Sequence, residues 1–387
     1  MLVTYTAPNR AHHYPYAKAL ARAGCLRAFV SGFSRFSPRA ALPEVGDKLI
    51  RADHLQNFFI ASQKLRMPET ICDELAYLSK IWMDWRSECP ARESDVFLFY
   101  NGAGLRTLRR LAGTGVRRVV EVVNSHVEVQ EELLREEYAR LGIPFARFHR
   151  REVARRVREY EEADAILCPS EFVLQSFLKK GIARERIVKV PYGFDAQAEC
   201  GPSSDGDDVF RVLYVGQISV RKGLRYLLDA FRDLRHPRKE LCIVGPRTPV
   251  TGLDGFPIPE GTKFVGVLKG EELARAYRNA TVFVLPSIEE GYGLVLGEAM
   301  SFGLPVIATA NSGGADLFTD GVEGFQVPIR DAVVIGKRLQ LLADDRALVA
   351  RISAAARERV RTLAGWDETG RKLVESLRNL VKVTPSP

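Results

Sequence analysis

The sequence predicts two α/β domains, each built on a doubly wound parallel sheet, and three observations lead there. Short apolar runs alternate with amphipathic helical stretches along the chain. With 387 residues the chain is longer than one hydrophobic core usually serves, so two units are expected. The polar, Gly/Asp-rich stretch from Glu199 to Asp208 interrupts the alternation and reads as a linker.

In the first half the candidate strands are Leu2 to Thr6, Leu26 to Val30, Val96 to Tyr100, Arg118 to Val123, Ala165 to Cys168 and Ile187 to Val190, most followed by a helical pattern. The second half offers Phe210 to Val215, Leu241 to Val244, Lys263 to Val265, Thr281 to Leu285 and Val306 to Thr309. Helical patterns from Asp331 to about Val383 close the chain. Residues 40 to 90 are the least legible. There the i, i+3 pair Trp82 and Trp85, with Phe58-Phe59-Ile60, predicts core contacts; an exposed apolar edge that meets a membrane or guides a lipid acceptor is the alternative.

Composition is that of a soluble globular protein, with 46% hydrophobic and 27% charged residues. Met1 to Thr6 reads as a strand rather than a signal peptide, and no apolar run approaches the ~18 residues of a membrane span. Cys25, Cys72, Cys89, Cys168, Cys200 and Cys242 show neither C-x-x-C pairs nor metal spacing, which predicts reduced, mostly buried thiols in a cytoplasmic protein. Residues 1–195 hold 31 Lys+Arg against 24 Asp+Glu, whereas the remainder is nearly balanced at 25 against 24. The excess includes Arg147, Arg150, Arg151, Arg155, Arg156 and Arg158. Such a run is a solvated helix face or a contact to the inner face of an anionic membrane. No nucleic-acid module is legible, and aromatics are not interleaved with the basic run, so nucleic acid is not an expected partner.

Two strand-to-helix junctions carry the chemistry. After the strand ending at Leu285 comes Glu290-Gly291-Tyr292-Gly293-Leu294-Val295-Leu296-Gly297-Glu298. Unpaired N–H groups and the positive end of a helix dipole can receive a diphosphate there, and glycines let it approach the backbone. The two carboxylates are left for sugar hydroxyls. After the strand ending at Val215 comes Gly216-Gln217-Ile218-Ser219-Val220-Arg221-Lys222-Gly223. Two cations at a helix start oppose its dipole at a cost of up to about 1 kcal/mol. No protein anion is evident for them in the sequence, so a bound phosphate is the expected partner.

These segments, with Gly303-Leu304-Pro305-Val306-Ile307-Ala308, Ser312-Gly313-Gly314 and Gly365-Trp366-Asp367, resemble the retaining glycosyltransferases of family 4, of GT-B architecture. Ala163 to Ser170 and Val190 to Asp195 resemble that family's passage to the hinge, and Asn124-Ser125-His126 with Gln130 and Glu136-Glu137-Tyr138 resembles one bacterial branch. The resemblance implies two Rossmann-like domains: an acceptor domain over residues 1–198, a donor domain over 199–365, and a final helix over 366–387 crossing back to the first. It also implies a nucleotide-diphosphate sugar as donor, UDP or GDP, and a glycan or lipid-linked acceptor of the kind used in bacterial surface polysaccharide.

On the donor side the resemblance points to Gly216, Arg221, Lys222, Val267, Leu268, Gly291, Tyr292, Gly293, Leu294 and Glu298, with Glu298 on the ribose. It gives Glu290 and His126 catalytic roles at the transferred sugar. Asn9, Arg10, His13 and Tyr14 form the expected acceptor side. Eight helical positions would rise about 12 Å, too far for Glu290 and Glu298 to share one reacting bond. Gln217 stands where many members have arginine, and the first loop lacks the common Gly-Gly pair. No D-x-D triad stands at a strand end, since Asp205-Gly206-Asp207 falls in the linker, so neither metal nor other cofactor is expected. A sugar-nucleotide epimerase or hydrolase of the same fold, and a non-catalytic glycan-binding subunit, are the alternatives.

Overall fold

The structure, a computed structural model, describes residues 1–65, 67–194, 208–363 and 365–382. The first sheet contains β1 Val3–Ala7, β2 Leu26–Ser31, β3 Leu49–Arg51, β4 Val96–Tyr100, β5 Arg117–Glu121, β6 Ala165–Cys168 and β7 Ile187–Lys189 in the order β3-β2-β1-β4-β5-β6-β7. The second contains β8 Phe210–Val215, β9 Lys239–Val244, β10 Thr262–Gly266, β11 Val282–Leu285, β12 Val306–Thr309 and β13 Gly324–Val327 in the order β10-β9-β8-β11-β12-β13. Every pairing of these strands is parallel. Helices cover both faces of such sheets, which is why β4, β6, β11 and β12 are almost wholly apolar and buried.

The strand order reverses between β1 and β4 in one sheet and between β8 and β11 in the other. Loops at the carboxyl ends of these strands therefore frame the crevice where ligands of open α/β sheets sit. The expected strands all form, with ends shifted by one or two residues. β3 and β13, of three and four residues, are additional. Neither is long enough to show a periodicity of its own.

One apolar cluster runs from the first sheet through Tyr192 and Phe194 into the second. The last helix, Trp366–Lys382, lies against the helix His13–Arg22 of the first domain. A Cβ on Gly370 would stand 2.3 Å from that of Ala19, so only glycine permits this approach. Arg22 Nη1 donates to Asp367 Oδ1 at 2.9 Å across the same contact. The linker expected at 199–208 lies outside the described residues up to position 207.

The arginine run is not a free basic face. On the helix Arg150–Glu162, Arg155 pairs with Asp84 and Glu159, Arg156 with Glu152, and Arg151 with Glu74. Acids of the same helix and of the helix Glu69–Arg92 pair with those three arginines. The aromatic expectation also needs correction: Trp85 stacks on Trp82 but is 52% exposed, and Phe58 is 64% exposed. Among the described cysteines Cys25 and Cys168 are buried, while Cys89 is exposed.

Candidate functional site

The loop after β11 is held by its backbone. Gly293 has φ 81°, a left-handed conformation suited to glycine, and starts the helix Leu294–Ser301. A Cβ on Gly291 would lie 1.7 Å from the Val123 carbonyl oxygen, so the backbones of the two domains touch there. The Ser170 hydroxyl donates to the Gly291 carbonyl. Glu290 N donates to Asn311 O and Gly313 N to Tyr292 O, each at 2.9 Å. The buried Tyr292 ring meets Tyr192 of the first domain at 5.4 Å.

The loop after β8 is laid directly upon it. Gly216 N donates to Val244 O, and Tyr214 Oη to Gln217 O at 2.7 Å. Arg221 and Lys222 lie in a short 3-10 turn that ends at Gly223, with φ 62°, before the helix Leu224–Asp233. A Cβ on Gly223 would stand 2.1 Å from the Pro286 carbonyl oxygen. Ile288 N donates to Arg221 O at 2.9 Å.

This contact brings both cations to carboxylates. Lys222 Nζ bonds Glu290 Oε2, and Arg221 Nη1 lies 3.8 Å from the same oxygen. Burial would push the Glu290 carboxyl up, but Lys222 and Arg221 together bring it below its ordinary value. Arg221 Nη1 also donates to Glu289 O at 2.9 Å and stands 3.4 Å from Glu289 Oε2. The expectation that the cations lack a protein anion is thus corrected: two glutamates, remote in sequence, supply it.

Glu289 is the residue that sequence reasoning passed over. Its fully buried Oε1 accepts from Ser125 N at 3.0 Å and Ser125 Oγ at 2.9 Å, and Oε2 accepts from Gln130 Nε2 at 2.9 Å. One carboxylate ties Arg221 to the first domain. The doubled Glu289-Glu290 was the available signal, since a second acid at a buried strand end requires partners. A second tie joins Arg330 to Glu137 at 2.7 Å and to Glu136 at 2.9 Å.

Glu298 faces a separate cavity of about 210 Å³, lined also by Leu294, Tyr277, Phe194 and Trp366. Tyr277 Oη donates to Glu298 Oε2 at 3.1 Å. Val267 and Leu268 follow β10, the former exposed and the latter packed on the core. Arg221, Lys222, Glu290 and the helix start at Gly293 form one group, and Glu298 serves another compartment.

His126 departs from its expected role. It caps the helix Val127–Arg140, its Nδ1 accepting from Glu128 N at 3.3 Å, while its own N–H donates to Ser176 Oγ at 2.8 Å. The ring packs on Tyr160 and Phe177 at 5.0 and 5.1 Å. Burial, with Lys180 adding to it against Glu128, lowers its pKa to about 4. The ring thus packs within the first domain while its Nδ1 caps the helix. Tyr14 is likewise corrected from acceptor side to core, packed on Phe29 and Phe33, and Arg10 lies over its ring. Asn9 is exposed.

His13 belongs to a buried network. Its Nδ1 lies 2.6 Å from Tyr5 Oη, which donates to Glu121 Oε2 at 2.7 Å, while His12 Nε2 reaches Glu121 Oε1 at 2.8 Å. Tyr192 stacks on His12 at 4.1 Å. Donor atoms of His12, His13 and Glu121 all lie within 4.8 Å, the one cluster among the described residues that could hold a metal ion. Tyr5 Oη and His12 Nε2 already provide a hydrogen bond to each Glu121 oxygen, and His13 Nδ1 lies 3.2 Å from Oε2.

Comparison with known proteins bears on this geometry. Residues 202–359 match the family glycosyl transferases group 1. That match lies in the second domain. A sulfoquinovosyl transferase of Arabidopsis thaliana is 35% identical over 150 residues, covering 38% of this chain and 29% of its own length. A lipopolysaccharide 1,2-N-acetylglucosaminetransferase of Salmonella typhimurium is 26% identical over 246 residues, covering 57% and 64%. The chain spans less than two thirds of the length of these curated relatives. Among solved structures, a sucrose-phosphate synthase of Thermosynechococcus elongatus superposes with TM-score 0.71 at 20% identity, covering 99% of this chain and all of the other. HepE of Anabaena, solved with UDP, superposes with TM-score 0.69 at 14% identity, covering 98% and 100%. The fold of this chain is GT-B.

Proposed function

We propose that this chain is a retaining glycosyltransferase that moves a sugar from a nucleotide-diphosphate sugar to a glycan or lipid-linked acceptor of a bacterial surface polysaccharide. The observation carrying this reading is the Lys222–Glu290 pair, with Arg221 beside it, at the mouth of the glycine-led helix. Arg221, Lys222 and the first N–H groups of Leu294–Ser301 receive the leaving diphosphate. Glu290 binds hydroxyls of the transferred sugar, and Glu298, in its own compartment, binds the ribose. The acceptor oxygen bonds the anomeric carbon as the bond to the diphosphate breaks, and its proton passes to a phosphate oxygen. No metal is required in this scheme.

UDP is the first donor base to try, because HepE was solved with UDP. The test is product analysis with UDP- and GDP-sugars, with and without acceptor, in the presence of EDTA. Glycoside formation with retained configuration is expected. Free sugar or an epimerised nucleotide sugar as the main product would overturn the reading.

The same reading places the chain at an anionic membrane face. Among the described residues no helix is long and apolar enough to cross a membrane. Instead, Phe58, Leu65, Met67 and Ile71 are exposed around the junction of helices His54–Lys64 and Glu69–Arg92, beside the exposed Lys64. Co-sedimentation with anionic vesicles that falls with salt is expected, and equal binding to neutral vesicles would contradict it.

A further inference from the structure

We infer that the first domain carries a dedicated saccharide pocket, distinct from the expected acceptor residues, that receives the mono- or disaccharide end of the acceptor. The inference rests on the transferase reading and names where and what that acceptor is. A cavity of about 580 Å³ opens between the helices Glu69–Arg92, Val127–Arg140 and Arg150–Glu162. That volume lies within the ~300–1,000 Å³ of small-molecule sites. None of Asn9, Arg10, His13 or Tyr14 lines it.

Its position follows from two lining residues. Gln130 donates to Glu289 Oε2 at 2.9 Å, and a Cβ on Gly291 would lie 3.2 Å from Asn124 Oδ1. The residues flanking Glu290 on either side therefore touch the cavity wall. An acceptor seated there presents its hydroxyl toward the carboxylate assigned to the transferred sugar.

The lining selects the ligand class. Tyr138 packs on Phe145 at 5.2 Å and Phe145 on Phe148 at 6.1 Å, so one wall is aromatic, as the C–H faces of pyranose rings require. The lining also holds the carboxylates of Glu69 and Asp73, acceptors for sugar hydroxyls, and Glu152, which is paired with Lys80 and Arg156. Arg147 and Arg156 do not outnumber these acids, so the cavity lacks the positive excess that a phosphate or anionic sugar would need.

The test is saturation-transfer NMR on the full chain with methyl glycosides and disaccharides of glucose, galactose, mannose and N-acetylglucosamine, beside calorimetry with UDP and GDP. At least one saccharide should bind. Phe145→Ala and Asp73→Asn should each weaken it about tenfold, with nucleotide affinity and melting temperature unchanged. Saccharide binding indifferent to both variants, or no saccharide binding while a nucleotide binds, overturns the pocket and leaves the transferase reading standing. Preference for a polyprenyl phosphate over every saccharide, lost in the same variants, overturns the saccharide class. Failure of both nucleotides to bind counts against the transferase reading, and saccharide binding still decides the pocket.

Discussion

The donor-side loops and the first-domain cavity are built by opposite means. Around Glu290, glycines at 223 and 291 let backbones lie within a Cβ's reach of one another, and Arg221, Lys222 and Glu290 meet there. The cavity beside Gln130 is shaped by long side chains on three helices. A site fixed by backbone tolerates no added atom, whereas one fixed by side chains can be retuned residue by residue. On the proposed reading, the loop would take the donor and the cavity would select what is glycosylated.

Gly291→Ala is the sharpest way to break that contrast. A Cβ 1.7 Å from Val123 O forces the domains apart, and a displacement near 1 Å costs about a hundredfold in rate, so kcat should fall at least that far. Near-normal kcat would show that the interdomain backbone contact does not shape the site. Glu290→Gln should also lower kcat about a hundredfold, near 2.7 kcal/mol, because its contacts strengthen as positive charge develops on the sugar. A change confined to KM would place Glu290 in ground-state binding alone.

Glu298→Gln sharpens the separation of compartments. It should raise the donor KM while kcat stays within about tenfold, since ribose contacts serve ground and transition states alike. An equal loss of kcat would merge the two carboxylates into one site.

His126 gives the smallest expected effect. As a helix cap, His126→Ala should lower stability by about 0.5–2 kcal/mol with kcat nearly unchanged. Its folded pKa of about 4 lies below the unfolded 6.5, so unfolding takes up a proton between these values. The stabilisation is complete above pH 6.5 and is lost as pH falls toward 4. Thermal melts from pH 7 to pH 4 in wild type and variant check this; a large kcat loss with unchanged stability would restore the histidine to the active site.

What was legible follows from the same contrast. Strand-turn-helix junctions announce themselves locally through apolar runs and glycines, so both sheets and the loops bearing Arg221, Lys222 and Glu290 could be read from the sequence. Partners separated by many positions could not. Ser125 and Gln130 meet Glu289 across 164 and 159 residues, and Arg155 meets Asp84 across 71. Such pairings neutralised Arg151, Arg155 and Arg156 of the basic run and gave Arg221 and Lys222 their anions. His126 could not be settled from the sequence, because a helix cap and a histidine facing the transferred sugar occupy the same place after a strand. The cavity was missed because Asp73, Gln130 and Phe145 converge only after three helices pack.

The central claim is that Lys222 and Arg221 seat a diphosphate while Glu290 competes with it for Lys222. Calorimetric titration of UDP and GDP into wild type, Arg221→Ala, Lys222→Ala and Glu290→Gln tests it most directly. The account predicts that each cation variant loses about 1.5–3 kcal/mol, roughly ten- to 150-fold in affinity, for the nucleotide that wild type binds. Glu290→Gln should bind that nucleotide as tightly as wild type or tighter, because its partner lysine is released. Unchanged affinity in both cation variants, or a marked loss in Glu290→Gln, would contradict it.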